Sequence, residues 1–406
     1  MTEPPAALAI RDVNLLDGTG TSAIPGQAVL VEGRRISWIG PTDELSLADR
    51  MTIIDGGGQT LLPGLINCHV HLCHDGAPDL FAQARTDSPP TATLRGYLNL
   101  QLTLRAGITT VRDCGAANNV AIELARAVEN ELIQGPRILA AGRVITMTGG
   151  HGYFIGREAD GADAVRAATR AEIKAGAHFI KAMATGGVLT PGVTPTQTAL
   201  QPDELEEVSR EAHNSGRRSA CHAIGNEGIK NAVRAGIDSI EHGYYLDDEA
   251  LKLMVDRGTF LVPTLLAGHQ IILNGRAGRV PSWITEKSLV SAEHHRTSFI
   301  AAVRSGLKIA AGTDAGTPYN PHGDLGAELE LMVEYGLRPL DAILAATRNA
   351  AENLDLLHDT GTIEVGKRAD LIIVPGDPTA DISALAHISL VLSNGKIIRN
   401  DLVSTR

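Results

Sequence analysis

A short apolar run ending in a polar residue, then a loop, then a helical segment closing on glycine: this unit recurs through the middle of the chain and leaves few architectures open. Runs of strand length and β-rich composition occur at 61–67, 109–112, 137–140 and 178–183, then at 218–221, 238–241, 260–263 and 308–311. Helix-like stretches lie between them at 118–134, 163–175, 202–215, 226–235 and 247–256. Several stop at a glycine, among them Gly107, Gly176, Gly216, Gly236, Gly258 and Gly306, as helices ending in a left-handed cap do.

Eight strands alternating with helices predict either a closed parallel barrel or a doubly wound open sheet. The polar residues at the strand ends separate the two. An open sheet concentrates its chemistry at one switch point, whereas a barrel gathers it from the C-terminal ends of many strands. Here His69 and His71 close the first run and Lys181 lies in the fourth. His222 closes the fifth, His242 the sixth and Asp314 the eighth. The expectation is an α/β fold, a (β/α)8 TIM barrel.

The two ends alternate like short antiparallel strands, as in Val29–Ser37 and Ser389–Lys396, with Glu32-Gly33 and Asn394-Gly395 as hairpin turns. Neither end has enough strands for a core of its own. We therefore expect residues 1–62 and 359–406 to join in one small β-sandwich, with the barrel over 63–358. Hydrophobic residues make up 43% of the 406, ample for a buried core, although aromatics are only 3% and aliphatic side chains must do the packing.

Composition excludes several roles. The net charge is −11 and no basic block occurs, so nucleic acid is not an expected partner. No stretch of 18 uncharged apolar residues exists, so no helix is expected to span a membrane. The opening Met1–Pro5 lacks the pattern of a secretory signal. The four cysteines, Cys68, Cys73, Cys114 and Cys221, show neither a disulfide framework nor zinc-knuckle spacing, and a reducing cytoplasm is the plain expectation.

His69-Val70-His71 is the anchor of the chemistry. Residues two apart on a strand face the same way, so both imidazoles can reach one ion. A His-x-His alone is a weak signal, but a buried apolar run does not end in two histidines without a use for them. Lys181, in His178–Met183, sits where an ammonium would be costly. It either pairs with a carboxylate or reacts as a neutral amine with carbon dioxide, giving a carbamate whose oxygens bridge two metals. His222 and His242 each follow a strand run, and Asp314 either caps a helix or binds an ion and relays a proton. His213, His294 and His295 lie in helical segments and are expected to be solvated, with His178 facing outward and His322 near the rim. Specificity should rest on the loops 73–90, 146–160 and 265–281. Arg85, in the first of them, would either meet a substrate carboxylate or lie exposed.

Taken together, Pro63–His71, Gly312–Ala315 and Gly366–Leu371 make the chain resemble the amidohydrolase superfamily over nearly its whole length. Gly149–Gly152, Ile180–Gly187, Glu241–Tyr244 and Gly312–Gly323 are similar to its imidazolonepropionase-like and Xaa-Pro dipeptidase-like branch. The resemblance implies that His69, His71 and Asp314 hold a buried divalent ion and that His222 and His242 hold a more exposed one. It implies that Lys181 is carbamylated and bridges the two, and that His151 and Tyr244 contact the substrate carbonyl or oxyanion, with Tyr245 as the neighbour to distinguish. Zinc suits nitrogen and oxygen ligands, and manganese or cobalt would also fit.

The mechanism so implied is attack by a metal-bridging hydroxide on an amide or peptide bond, with Asp314 shuttling the proton. A dipeptide or N-acyl amino acid is the leading substrate. Hydrolysis of a cyclic amide or amidine is the second reading, and a non-catalytic scaffold, disfavoured by the complete ligand set, the third. The branch is often multimeric, so the resemblance allows a homo-oligomer.

Overall fold

The computed structural model describes residues 7–46 and 51–402. The opening Met1–Pro5, on which the expectation about a signal rests, and the outermost residues of both terminal segments lie outside the described residues. The fold is α/β with parallel sheets. One sheet holds Leu65–Val70, Ile108–Asp113 and Arg137–Ala140; the other runs in the order Gly156–Glu158, Val144–Thr146, Ile180–Met183, Ser219–Ala223, Ser239–His242 and Phe260–Val262. Every pairing within both is parallel.

Parallel neighbours need crossovers, and helices supply them: Val120–Glu129, Ala162–Ala175, Pro202–Asn214, Asn226–Arg234 and Asp248–Arg257 match the helical stretches read from the sequence to within a few residues. Each of the six glycines named above lies at positive φ. The strands in between are almost wholly buried, as expected where both faces are covered.

Two strand expectations are modified. The first run divides at Pro63-Gly64. Thr60–Pro63 pairs antiparallel with Leu371–Val374, and Leu65–Val70 turns into the parallel sheet. The eighth run forms no extended strand. Its Ile309 makes an isolated parallel bridge to Leu261, because Asp314, at φ 57°, leaves extended geometry just beyond it. The backbone bonds are nonetheless there: Leu261 N to Lys308 O (2.9 Å), Ala310 N to Leu261 O (3.0 Å) and Cys68 N to Ala311 O (2.8 Å). They carry this segment between Phe260–Val262 and Leu65–Val70. Across the other gap His178 N donates to Ala140 O at 2.8 Å. Val144–Thr146 and Gly156–Glu158 are strands that sequence reading missed, both short and separated by turn glycines.

The two chain ends meet in one continuous eight-stranded sheet, ordered Lys396–Asn400, Leu390–Ser393, Leu371–Val374, Thr60–Pro63, Ala7–Leu15, Ile24–Glu32 and Arg35–Pro41, with Thr52–Asp55 also paired to Ala7–Leu15. It buries its own cluster, including Ile10, Val29, Ile36, Leu61, Ile373 and Leu392. No helix of the described residues is long and apolar enough to cross a membrane.

Candidate metal centre and its cavity

All eight residues singled out by sequence, His69, His71, His151, Lys181, His222, His242, Tyr244 and Asp314, line one cavity at the C-terminal ends of the parallel strands. The space is narrow, about 60 Å³. The imidazoles crowd one another: ring centroids stand 5.1 Å apart for His69 and His242, 4.5 Å for His222 and His242, and 4.3 Å for His151 and His222. Donor atoms of His69, His242 and Asp314 lie within 4.8 Å of one another.

Backbone geometry brings them there. Asn67 accepts from the amides of His69 and Thr313 (both 3.1 Å) and donates to Thr313 Oγ1 (2.8 Å), locking the first strand to the Asp314 turn. Gly312 allows the approach, because a Cβ there would stand 2.5 Å from Val262 and 2.9 Å from the His69 Cβ. His242 (φ 74°), Thr264 (φ 52°) and Asp314 (φ 57°) all adopt left-handed backbone at strand ends. Such strain costs on the order of 1–3 kcal/mol per residue and persists where the surroundings over-determine it.

Each histidine has one ring nitrogen taken by a partner. His69 Nδ1 donates to Glu241 Oε2 (2.7 Å) and His71 Nδ1 to the Gly115 carbonyl (2.9 Å). His222 Nε2 donates to the Gly186 carbonyl (2.9 Å), and His242 Nδ1 bonds Thr264 Oγ1 (2.7 Å). The tautomers of His69 and His71 follow: their Nε2 atoms carry lone pairs. Those atoms sit 3.3 and 3.2 Å from Asp314 Oδ1, which has no hydrogen-bond partner. Lone pairs facing a carboxylate oxygen repel unless a cation lies between them. The Lys181 amine, buried in the same wall, also has no partner. These orphaned atoms fit a divalent-metal centre.

Electrostatics agree. Burial holds the pKa of His69 down to about 4 and that of His151 to about 3, and it holds His222 and His242 well below the ordinary histidine value. All four are therefore neutral at neutral pH, the form that binds metal. His71 is the exception: burial lowers it, but the Asp314 carboxylate beside it outweighs that and raises its pKa, so without a cation the two would share a proton that an ion has to displace. Burial raises Asp314, and His69 and His71 overcome it, keeping the carboxyl below the usual carboxylate range. A second group of potential ligands, His69, Cys114 and Glu241, is poorly suited to a metal. Burial pushes the Cys114 thiol up to about 12, and Glu241 already serves Arg112.

Glu241 is the main residue that sequence reading missed. It is fully buried; Oε2 accepts from His69, and Oε1 accepts from Arg112 Nη2 (2.6 Å) and Ser239 Oγ (2.7 Å). Arg112 also donates to the Cys68 carbonyl and lies over the Phe179 ring. The available signal was a carboxylate inside a buried strand next to His242. Burial alone would raise the Glu241 pKa; Arg112 overcomes it and holds the group well below the carboxylate range. With the folded pKa depressed, the pair's stabilisation is present above the ordinary glutamate pKa and is lost only in strong acid. Arg112→Met should destabilise the fold by about 3–5 kcal/mol at neutral pH by leaving a buried carboxylate unpaired. Denaturant unfolding measures this, and a change under 1 kcal/mol would rule out a fully desolvated pair.

The remaining expectations resolve as follows. Tyr244 is buried and stacks on His295 (centroids 3.7 Å apart), whereas Tyr245 turns toward Ser291 and His294 and does not line the cavity. His295 was expected to be solvated, and the structure corrects this. It lies on the buried face of the long helix Ser282–Ser305, with Nε2 donating to the Pro263 carbonyl (2.9 Å). His213 and His294 are exposed, His178 is partly exposed beside Glu129, and Arg85 is exposed. His322 is buried and donates to the His74 carbonyl. All four cysteines are buried and unpaired.

The three segments expected as specificity loops all line the cavity, through Leu80, Phe154, Ile155 and Ile271 among others, but two of them are corrected in form: Leu80 opens the helix Leu80–Thr86, and Ile271 lies within the helix Leu265–Arg276. A fourth, after the Lys181 strand, adds Val188 and Leu189. Within it Gly187 admits the His151 ring, which would stand 2.5 Å from a Cβ at that position.

This arrangement matches the amidohydrolase family, whose model covers residues 60–398, and the chain belongs to that family. It is a hydrolase of carbon–nitrogen bonds. Among solved structures it is similar to a Xaa-Pro dipeptidase with bound methionine, at TM-score 0.90 and 34% identity over 97% of this chain and 99% of that one. The ochratoxinase of Aspergillus niger is 30% identical over 374 residues, 84% of this chain and 75% of that protein. The imidazolonepropionase of Rhizobium meliloti is 29% identical over 394 residues, 87% of this chain and 86% of that one.

Proposed function

We propose that the protein is a binuclear metal-dependent amide hydrolase acting on a small dipeptide-like or N-acyl amino acid molecule. The observation that carries this is the convergence of unpartnered atoms, Asp314 Oδ1, Lys181 Nζ and the free Nε2 of His69 and His71, in one buried cavity. In this reading the two parallel sheets close into one (β/α)8 barrel through the 308–315 segment. The hydrolase unit spans 63–358, and residues 1–62 with 359–406 form the companion β domain.

His69, His71 and Asp314 would hold one ion, His222 and His242 the other, and Lys181, as its carbamate, would bridge them. Zinc is the favoured ion. Two such ions would supply a nucleophile from water at neutral pH and polarise the scissile carbonyl. The chain's own residues do the rest. Thr190 Oγ1 accepts from the Gly152 amide (3.3 Å) and lies 2.9 Å from His151 Nδ1. With the threonine hydroxyl donating to Nδ1, the proton of the neutral ring sits on Nε2, ready to bond a substrate carbonyl oxygen. Burial raises the Tyr244 pKa and keeps the phenol protonated, so it too can only donate to an oxyanion. Asp314, ionised, accepts a proton at its free oxygen and returns it to the departing amine.

The purified protein should contain two metal equivalents per chain, and exhaustive chelation should abolish amide turnover, with recovery on adding zinc. Metal analysis giving one equivalent or none in the active protein would sink the binuclear reading.

A further inference from the structure

Past the ligand cluster, the cavity wall is hydrocarbon: Leu80, Phe154, Ile155, Leu189, Ile224 and Ile271. Among the described residues lining it, Lys181 is the one lysine and there is no arginine. Lys181 sits among the proposed ligands. The neighbouring Lys287 donates to the carbonyls of Thr190 (2.9 Å) and Val193 (2.7 Å) and is not part of the wall. A free carboxylate lodged against this wall would meet no cation from the chain, which is unfavourable in a desolvated pocket.

Apart from the proposed ligands, one polar atom among the described residues of the lining has no partner. His74 is 4% exposed, and its Nε2 makes no hydrogen bond. Its tautomer follows from a chain of bonds. Gln83 Nε2 donates to Asp75 Oδ1 (2.8 Å), which fixes the amide so that Oε1 faces His74 Nδ1 at 3.3 Å. Nδ1 must then carry the ring proton, and Nε2 is left as a bare acceptor. From behind, His322 Nε2 holds the His74 carbonyl at 2.8 Å. A buried acceptor without a donor is destabilising, and it is kept where a donor arrives with the ligand.

We propose that the cavity takes an uncharged amide, its hydrocarbon group packed on this wall and one N–H or O–H donated to His74 Nε2. This rests on the amide-hydrolysis reading above and amends its substrate: a capped relative of the dipeptide or N-acyl amino acid, lacking the free carboxylate that those molecules carry. His74 acts as a specificity residue, set apart from the metal ligands. The space is narrow, so wall side chains shift as the substrate is admitted.

The test uses the zinc-loaded full-length protein and three matched compounds: N-acetylphenylalanine, its primary carboxamide and its N,N-dimethylcarboxamide, with acetate release as the readout. The carboxamide should exceed the free acid in kcat/KM by roughly tenfold or more. His74→Leu should lower kcat/KM for the carboxamide by roughly tenfold, mostly through KM, and leave the dimethylcarboxamide and the metal content unchanged. His74→Gln, which retains an acceptor, should restore much of the loss. A free acid cleaved as fast as the carboxamide would overturn the uncharged substrate. Equal losses on both amides in His74→Leu would overturn the hydrogen bond. Turnover of none of the three by metal-replete protein would overturn the amide-hydrolysis reading itself, and this proposal with it.

Discussion

Asp314→Asn is expected to lower kcat by about 10³-fold, the scale of a lost general acid–base group. Metal content should stay close to that of the parent, since the asparagine Oδ1 can occupy the same place beside His69 and His71. The backbone supports this substitution. Asp314 lies at φ 57°, a region that asparagine tolerates as well as aspartate, and its amide is anchored on the His69 carbonyl (2.8 Å). The fold should therefore be preserved while the proton acceptor is lost. Single-turnover kinetics together with metal analysis separate the two effects. A mutant within threefold of the parent rate would remove Asp314 from the chemistry. One that had lost its metal would make it a ligand alone.

The second large effect is expected at Lys181. Its amine is 1% exposed and without a partner in a strand buried on both faces, an arrangement that costs stability. Lys181→Met keeps the length and hydrocarbon of the side chain and removes the polar atom. In metal-free protein the substitution should leave the thermal midpoint unchanged or raise it by a few degrees, because about 1 kcal/mol corresponds to a shift of that size. In metal-loaded protein it should do the opposite, reducing bound metal from two equivalents to one or fewer and removing turnover. Opposite signs in the two states are what a bridging role requires. A lysine that merely filled the core would lower the midpoint in both states and leave metal binding alone.

Much of this was legible before any coordinates. The strand-and-helix alternation predicted most of the parallel strands, Val144–Thr146 and Gly156–Glu158 excepted, since buried strands need continuous apolar runs and their crossovers need amphipathic helices with a definite end. The strand-end residues of the cavity were legible for a related reason, while His151 and Tyr244 were implied only by the family resemblance. Strands of a parallel sheet all present their C-terminal ends to one side, so a histidine or aspartate closing each run marks a shared mouth without knowledge of the packing. His295 was misread because a helical histidine is usually solvated, and nothing local revealed that Ser282–Ser305 lays that residue against Tyr244. The eighth strand was over-read because its neighbours supply the bonds while Asp314 bends it away.

By itself, then, the order of residues determined which strand-end side chains reach the shared cavity, because strand direction and the twofold alternation of side chains are local properties that survive any detail of packing. Tertiary structure alone decided which nitrogen of each ring is free. His69 owes its tautomer to Glu241, 172 residues away, and His74 owes its own to Gln83 and Asp75. Such hydrogen bonds depend on distances of a few tenths of an ångström between groups remote in the chain or brought together by a loop, and no periodicity encodes them.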